Sequence, residues 1–171
     1  MHQIELFMKY PCEVQEELLR KLISTAEHTQ WGEHFEYQSI DNFKTFSERV
    51  PVVTYDQLQP QVERIMKGEQ NILWPSEIKW FAKSSGTTSN RSKFIPVSME
   101  SLEECHFKGG KDLLSIYFNN NPDALLFNGK LLSLGGSHSI NSFHNESYYG
   151  DLSAILIQNL PFWVQIMRTP E

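Results

Sequence analysis

The residues best suited to chemistry lie in one polar segment, residues 83–93, between two short apolar runs. This segment contains Gly86 and ends at Lys93. Its hydroxyl side chains are those of Ser84, Ser85, Thr87, Thr88, Ser89 and Ser92. A loop with a glycine can turn several backbone N–H groups toward one point, and hydroxyl groups add further donors. A lysine at the end of such a loop can hold an ammonium group over an anion. The segment therefore suits the binding of a polyphosphate.

This polar segment does not match the two common nucleotide-binding motifs. A Walker A loop has the pattern GxxxxGK[ST], but after Gly86 and four intervening residues comes Arg91 rather than glycine. The GxGxxG pattern of a Rossmann site is also absent. A conventional P-loop kinase is therefore disfavoured. By composition alone, the segment also fits a solvated connection, so phosphate binding is one of two interpretations at this point.

Two short strands are expected to position the segment. An apolar run with Ile78, Trp80 and Phe81 precedes it, and residues 94–97 follow it. Ser98 then predicts the N-cap of a helix, because its hydroxyl can accept from a backbone N–H of the first turn.

The helix after Ser98 carries apolar residues at helical spacing from Leu102 to Tyr117, with Gly109 and Gly110 on the same face. Each glycine costs about 1 kcal/mol relative to alanine within a helix. Their position predicts that another backbone approaches this face closely. A break into two helices at the glycines is the alternative.

The first part of the chain is predicted to be mainly helical. Pro11 opens an amphipathic helix, and Asp41 is a candidate cap for a short helix that ends near Arg49. Thr54 and the glutamine three residues later form a capping-box pattern. The helix that they begin is expected to end near Gly68.

The last third combines short apolar runs with one apolar helix. Residues 125–134 contain Asn128 and Gly129, a pair typical of a type I′ turn, and predict a β-hairpin. Asp151 is a candidate cap for a helix over residues 152–160, with a kink or restart at Pro161. Helices that alternate with short strands indicate the α/β class. The large aromatic residues predicted to lie in the core are Trp74, Trp80, Phe81, Phe162 and Trp163.

Composition excludes several functional classes. The 171 residues include 15 Lys and Arg against 21 Asp and Glu, a net charge of −6, which disfavours nonspecific binding to nucleic acid or anionic lipid. Only two cysteines occur, Cys12 and Cys105, without CxxC spacing, so neither a disulfide framework nor a structural zinc site is predicted. His138 and His144 match no zinc signature, and no metal ligand or catalytic residue is predicted from them. We expect a cytoplasmic protein without a signal peptide or membrane span.

At this point a family resemblance becomes specific. Ser84-Ser85-Gly86-Thr87-Thr88 followed by Lys93-Phe94-Ile95-Pro96 resembles the first nucleotide motif of the adenylate-forming enzymes. More narrowly, it resembles the auxin-responsive (Gretchen Hagen) family of acyl-acid amido synthetases and its bacterial relatives. Further similar segments are residues 50–52, 55–56, 68–69, 71–74, 80–83, 108–111 and 150–154.

The resemblance implies an α/β fold, a reaction and a site. The chain would form the N-terminal portion of the family's large ATP- and acyl-binding domain, with residues 1–75 as a helical lead-in and residues 76–171 as the α/β part. ATP and a carboxylic acid would give an acyl-adenylate, and an amine would then take the acyl group to form an amide. The residues implied around the β- and γ-phosphates are Ser84, Ser85, Gly86, Thr87 and Thr88, with Lys93 nearby and Mg²⁺ bridging the phosphates. Asn90 departs from the glycine found in many relatives, and residues 135–138 are a candidate border of the acyl pocket.

The length of the chain departs from the family. Members are several times longer, and their adenine- and ribose-binding motifs and mobile C-terminal domain lie downstream. The chain is therefore expected to be an N-terminal fragment that does not complete adenylation alone. The alternative is a noncatalytic remnant that binds a partner or only keeps the fold. A large exposed apolar surface, with possible self-association, would favour the truncated enzyme.

Overall fold

This computed structural model describes residues 2–84, 92–132, 141–142 and 146–169. The chain divides into two compact units, of which the first ends at Ile78 and the second begins at Lys79. Helices make up the first unit, whereas the second combines short strands with helices, so the α/β class is confirmed.

Five α-helices form the first unit within its described residues. They are α1 (His2–Lys9), α2 (Pro11–Ala26), α3 (Gln30–His34), α4 (Phe43–Arg49) and α5 (Tyr55–Met66), with a 3₁₀ turn at Tyr37–Ser39. The predicted helix starts are largely confirmed, because Pro11 occupies the first turn of α2 and Thr54 forms a complete capping box with Gln57. The cap of α4 is Asn42 rather than the expected Asp41, since the Asn42 side chain accepts from the N–H of Thr45 at 3.0 Å.

The end of α5 is also as predicted. Lys67 is the C-cap, and the next residue, Gly68, has a φ of 98°. This left-handed conformation is open to glycine without the steric cost that a Cβ would add. The predicted end of α5 near Gly68 is therefore confirmed, and the positive φ of this glycine is the reason expected from the sequence.

One core cluster of the first unit forms where α2 meets the turn that follows α3. Its buried side chains are Ile23, Ala26, Tyr37 and Ile40. Burial raises the pKa of the Tyr37 hydroxyl, against the opposing effect of a hydrogen bond with Trp31. Tyr37 therefore remains neutral within this core at physiological pH.

The second unit is built on a four-stranded sheet. Its strands are β1 (Trp80–Lys83), β2 (Phe94–Val97), β4 (Asn141–Ser142) and β5 (Tyr148–Gly150), in the order β2-β1-β5-β4. Strand β1 pairs antiparallel with β2 and parallel with β5, and β4 pairs antiparallel with β5. Strand β2 lies at the edge, where the missing N–H of Pro96 is tolerated.

A long helix follows β2 and continues through the glycine pair. Ser98 caps its start, because its Oγ accepts from the N–H of Ser101 at 3.1 Å. A π-helical stretch, Ser101–Phe107, leads directly into α6 (Lys108–Asn120). The alternative of a break at Gly109 and Gly110 is therefore wrong. The predicted close approach of another backbone is not found either, since a Cβ at either glycine would have no described atom within 4 Å.

The predicted hairpin over residues 125–134 is wrong. Leu126–Asn128 forms a 3₁₀ turn, and Gly129 has a φ of −125°, whereas a type I′ turn needs positive φ at both central residues. The short strand β3 (Leu131–Leu132) pairs instead in parallel with β6 (Arg168–Thr169). A partner distant in sequence thus replaced the local one.

Two helices precede β6, and one of them closes a core cluster. They are α7 (Leu152–Gln158) and α8 (Phe162–Met167), with the predicted restart at Pro161. Asp151 holds the N-cap position of α7, although its side chain makes no capping hydrogen bond. The cluster beside the sheet is formed by Ala82, Val97, Leu102 and Ile155.

The aromatic residues divide between core and surface. Phe81 is fully buried, and Trp80 and Trp74 each pack against a core cluster. The core prediction is wrong for Phe162, which is 76% exposed, and for Trp163, which is 39% exposed. No helix in the described part of the chain is long and apolar enough to cross a membrane.

Truncation of Ile155 should destabilise the second unit strongly. Its side chain is fully buried in the cluster beside β1, so Ile155→Ala is expected to cost about 2–5 kcal/mol of unfolding free energy. Leu152→Ala on the same helix is the matched control and should cost less than about 1 kcal/mol, because Leu152 is exposed. Urea unfolding followed by circular dichroism measures both changes. Equal losses for the two variants would contradict the packing of α7 against the sheet.

Candidate functional site

Two residues near the ends of the polar segment, Ser84 and Lys93, are hydrogen-bonded to each other and extend the pairing of β1 with β2. The Ser84 N–H donates to the Lys93 carbonyl at 2.9 Å, and the Lys93 N–H donates to Ser84 Oγ at 3.2 Å. The pair lies one step beyond the last strand partners, Lys83 and Phe94. The two chain ends that enter the segment are therefore fixed to each other by the sheet.

The edge of the sheet at this point collects the carboxyl ends of two parallel strands. Because Ala82 is paired with Gly150, the residues that follow each strand, Ser84 and Asp151, lie at the same edge. Phe94 contacts Tyr149 edge to face, with ring centroids 5.4 Å apart. In open α/β sheets, ligands bind beyond the carboxyl ends of the strands.

Of the site residues expected from the sequence, the structure describes Ser84 and Lys93 and brings their backbones together. The other four, Ser85, Gly86, Thr87 and Thr88, lie outside the described residues, as do Asn90, His138, His144 and residues 135–138. The roles given to these residues stay predictions. From the sequence, Asp151 is expected as a helix cap and as part of the similar segment 150–154. Its position at the same sheet edge as Ser84 is not predicted, because the pairing that brings β5 beside β1 leaves no local signal.

A separate cavity of about 230 Å³ lies within the first unit, lined by Gln30, Trp31, His34, Gln61, Arg64 and Ile72. The guanidinium group of Arg64, which lines this cavity, already has hydrogen-bond partners. It donates to Glu69 Oε2 through Nε at 2.9 Å and through Nη2 at 2.6 Å. Its Nη2 also donates to Gln30 Oε1 at 2.9 Å. The hydrogen bond raises the pKa of Arg64 and lowers the pKa of Glu69. An anionic ligand would compete with these partners, so this cavity is a poorer phosphate site than the polar segment.

The second unit also has an apolar groove of about 450 Å³. It is lined by Lys111, Leu114, Ser115, Phe118, Phe127 and Trp163, which belong to α6, the 3₁₀ turn and α8. We name this groove, together with the exposed apolar side chains of residues 125–132 and of α8, the α6–α8 surface. Within the described residues, no group of three His, Cys, Asp or Glu side chains is arranged to hold a metal ion.

The comparison with protein families covers the whole chain, because the model of the GH3 family N-terminal domain matches residues 1–171. Indole-3-acetic acid-amido synthetase GH3.2 of Arabidopsis thaliana is 35% identical over 101 residues, 58% of this chain and 18% of that protein. Jasmonoyl-L-amino acid synthetase JAR6 of Nicotiana attenuata is 31% identical over 104 residues, 60% of this chain and 18% of that protein. The matched part of the chain thus spans less than a fifth of each of these relatives.

Solved structures show the same fold. A GH3.15 acyl acid amido synthetase superposes with a TM-score of 0.71 at 21% identity, covering 92% of this chain and 28% of that one. The AtGH3.15 acyl acid amido synthetase in complex with 2,4-DB gives a TM-score of 0.70 at 22% identity, covering 85% of this chain and 26% of that one.

Removal of the Ser84 hydroxyl should loosen the base of the polar segment. Ser84→Ala removes the acceptor of the Lys93 N–H, a loss of about 1 kcal/mol, so exchange of that amide hydrogen is expected to accelerate about fivefold. Ser84→Thr keeps the hydroxyl and should retain the slower exchange. Amide hydrogen exchange by NMR measures the effect. Equal exchange in wild type and Ser84→Ala would contradict this hydrogen bond.

Proposed function

The chain belongs to the GH3 family, and from this premise we propose that it supplies the phosphate-binding part of a ligase that joins a small carboxylic acid to an amine with the use of ATP. The observation that carries this proposal is the Ser84–Lys93 pair, whose two hydrogen bonds join the chain just after β1 to the chain just before β2, at the two ends of the hydroxyl-rich sequence. The relatives named above are amido synthetases for indole-3-acetic acid and a jasmonoyl–amino acid synthetase, which supports the reaction class.

The proposed reaction has two transfers. A carboxylate oxygen attacks the α-phosphorus of ATP, and pyrophosphate leaves with the electrons of the broken P–O bond. The amine nitrogen then attacks the acyl carbon, AMP leaves, and the amine proton passes to solvent or a base. We expect an amino acid as the amine, by analogy with the jasmonoyl–amino acid synthetases.

We assign phosphate binding to Ser84, Ser85, Gly86, Thr87 and Thr88, with Lys93 nearby. The donor set fits this role, because hydroxyl groups, backbone N–H groups and one ammonium group all donate to phosphate oxygens. The backbone N–H of Lys93 donates to Ser84 Oγ, and this hydrogen bond restricts the position from which the lysine side chain extends. Mg²⁺, when bound with the nucleotide, would supply positive charge that offsets the charge on the phosphates.

The position of the site at the carboxyl edge of the sheet adds a second line of support. Strands β1 and β5 both end there, and β2 begins there, so three chain segments converge at one place. The matched part is 28% of the solved relative's chain, so we expect residues outside it to complete the nucleotide site. We therefore propose that residues 1–171 correspond to the N-terminal portion of the large ATP- and acyl-binding domain.

We further propose that this chain does not complete adenylation alone. It covers 28% of the solved relative with the same fold, which leaves most of that relative's chain without a counterpart. The exposed α6–α8 surface supports a truncated enzyme over a remnant evolved to stand alone, and it supports self-association of the chain. The free thiols of Cys12 and Cys105 are consistent with the proposed cytoplasmic location.

Lys93→Ala should weaken the binding of Mg-ATP to this chain about tenfold to a hundredfold. The reason is the loss of a charge-assisted contact to phosphate, which contributes about 1.5–3 kcal/mol. Thr87→Ala removes a neutral donor and should weaken binding about fivefold. Isothermal titration calorimetry measures each dissociation constant.

The matched control is Lys44→Ala, in the first unit, whose side chain is 84% exposed and 4.0 Å from Glu48. It removes the same charge and should leave Mg-ATP affinity unchanged. Binding that Lys93→Ala and Lys44→Ala weaken equally would contradict the assigned residues. Absence of binding by the wild-type chain would contradict phosphate binding by this chain alone.

The isolated chain is expected to show no adenylation turnover. Pyrophosphate release is measured with Mg-ATP and a panel of carboxylic acids, with a full-length GH3 relative as the positive control. The expected reason is that residues beyond the phosphate-binding segment must hold the acid and the α-phosphate in line. Acid-dependent turnover by the 171-residue chain would overturn the proposal of an incomplete site.

A further inference from the structure

Lys83 is the last residue of β1, and the six residues assigned above to phosphate binding do not include it. Its register partner on β2 is Phe94, which is next to Lys93 in the chain. The Lys83 side chain is exposed, whereas Phe81 and Ala82, which precede it on the same strand, are buried. Lys83 therefore lies at the carboxyl edge of the sheet with its side chain open to solvent.

Lys83 and Lys93 extend from opposite faces of the sheet. Residues paired directly across two strands share a face, so Lys83 lies on the same face as Phe94. Lys93 is adjacent to Phe94 in the chain, and consecutive residues of an extended strand alternate between faces. The hydrogen bonds between Lys93 and Ser84 continue the pairing beyond the strands. An anion that crosses the end of the two strands can therefore contact one ammonium group from each face.

Aromatic side chains line the face of the sheet from which Lys83 extends. Phe81 lies two residues earlier on the same face and pairs with Tyr149 of β5. The ring of Tyr149 in turn contacts Phe94 edge to face, with centroids 5.4 Å apart. The alkyl part of a lysine can pack on such a surface while its ammonium group stays in water. Apolar neighbours also lower the local dielectric constant, which strengthens the attraction between the ammonium group and an anion.

The carboxyl edge of β1 carries a more positive charge than the opposite edge of the sheet. Among the described residues within three positions of the ends of β1, β2 and β5, this edge has Lys83 and Lys93 against the carboxylate of Asp151. The opposite edge has one lysine and three carboxylates, which are Lys79, Glu77, Glu100 and Glu146. In a chain whose net charge is −6, the edge with Lys83 is thus the one that repels a polyanion less.

The ammonium group of Lys83 forms no ion pair with any carboxylate of the described residues. Lys108, by contrast, is paired with Asp112 at 2.7 Å. Asp151 follows the register partner of Ala82 and is therefore level with Lys83 on the neighbouring strand, but it is not its ion-pair partner either. An anionic ligand would not have to displace a described carboxylate from Lys83, as it would from Lys108.

We propose that Lys83 is a second cationic residue of the nucleotide site, and that it contacts the phosphates of a nucleoside polyphosphate from the face opposite Lys93. The inference rests on the proposed function, because it adds a residue to the same site. It makes a separate prediction, since the roles of Ser84 and Lys93 do not require a contact from Lys83.

The test is the binding of Mg-ATP by three variants, measured by isothermal titration calorimetry. Lys83→Met keeps the length of the side chain but removes its charge, and it should raise the dissociation constant about threefold to tenfold. Lys83→Arg keeps the charge and should restore most of the affinity. Lys79→Met is the matched control, because Lys79 is also exposed and lies four residues away, about 13 Å along the chain toward the other edge of the sheet. It should leave the affinity unchanged.

Two further readouts separate a contact between charges from a loss of structure. The difference between wild type and Lys83→Met should shrink as the KCl concentration rises from about 50 mM to about 500 mM, because salt screens an exposed ion pair. The loss should also be smaller for AMP than for ATP, since AMP lacks the β- and γ-phosphates. Circular dichroism checks that Lys83→Met and Lys79→Met keep the fold.

The outcomes distinguish this inference from the proposed function. Binding that Lys93→Ala weakens and Lys83→Met does not would overturn the inference and support the proposed function. A loss in Lys83→Met that Lys79→Met matches, or that is the same for AMP and ATP, would also overturn the inference. Absence of Mg-ATP binding by the wild-type chain would contradict both proposals for this chain.

Discussion

The second unit depends on the burial of β1 between two strands and against a helix. Phe81 and Ala82 are consecutive and therefore point to opposite faces of the sheet, and both are buried. Ala82 packs with Val97, Leu102 and Ile155, which come from three later elements of the chain. This strand therefore fixes the positions of β2, β5 and α7 at once, and with them the edge at which the polar segment begins.

The Ser84–Lys93 pair extends this fixed arrangement of strands to the two ends of the polar segment. An extended hairpin with an unpaired end would let the entering and leaving strands separate, and the ends of the polar segment would separate with them. The two hydrogen bonds of the pair prevent this separation, and one uses a serine side chain where a regular ladder would use a carbonyl. Ser84 is thus both a positioning residue and one of the proposed phosphate donors.

The helix after β2 contains two adjacent glycines that no described residue packs against. Gly109 and Gly110 are exposed in the middle of a continuous helix, and together they cost roughly 2 kcal/mol relative to alanine. Exposed Leu113 and Tyr117 follow on the same helix, so both its backbone and its apolar side chains are open to contact. Such a helix is well suited to burial by a further layer, as the exposed α6–α8 surface also indicates.

The sequence by itself determined the local structure and the family. Caps and stops at Pro11, Thr54, Gly68 and Ser98 were predictable because each depends on hydrogen bonds or backbone angles within a few residues. The segment from Ser84 to Lys93 was recognisable because its chemistry lies in the residue types themselves.

Tertiary structure decided the rest. Asn128-Gly129 did not form a hairpin turn, because β3 pairs with β6, which is more distant along the chain. Likewise, the burial of Phe81 and the exposure of Phe162 follow from which elements pack together, and an apolar side chain has the same local pattern in either place.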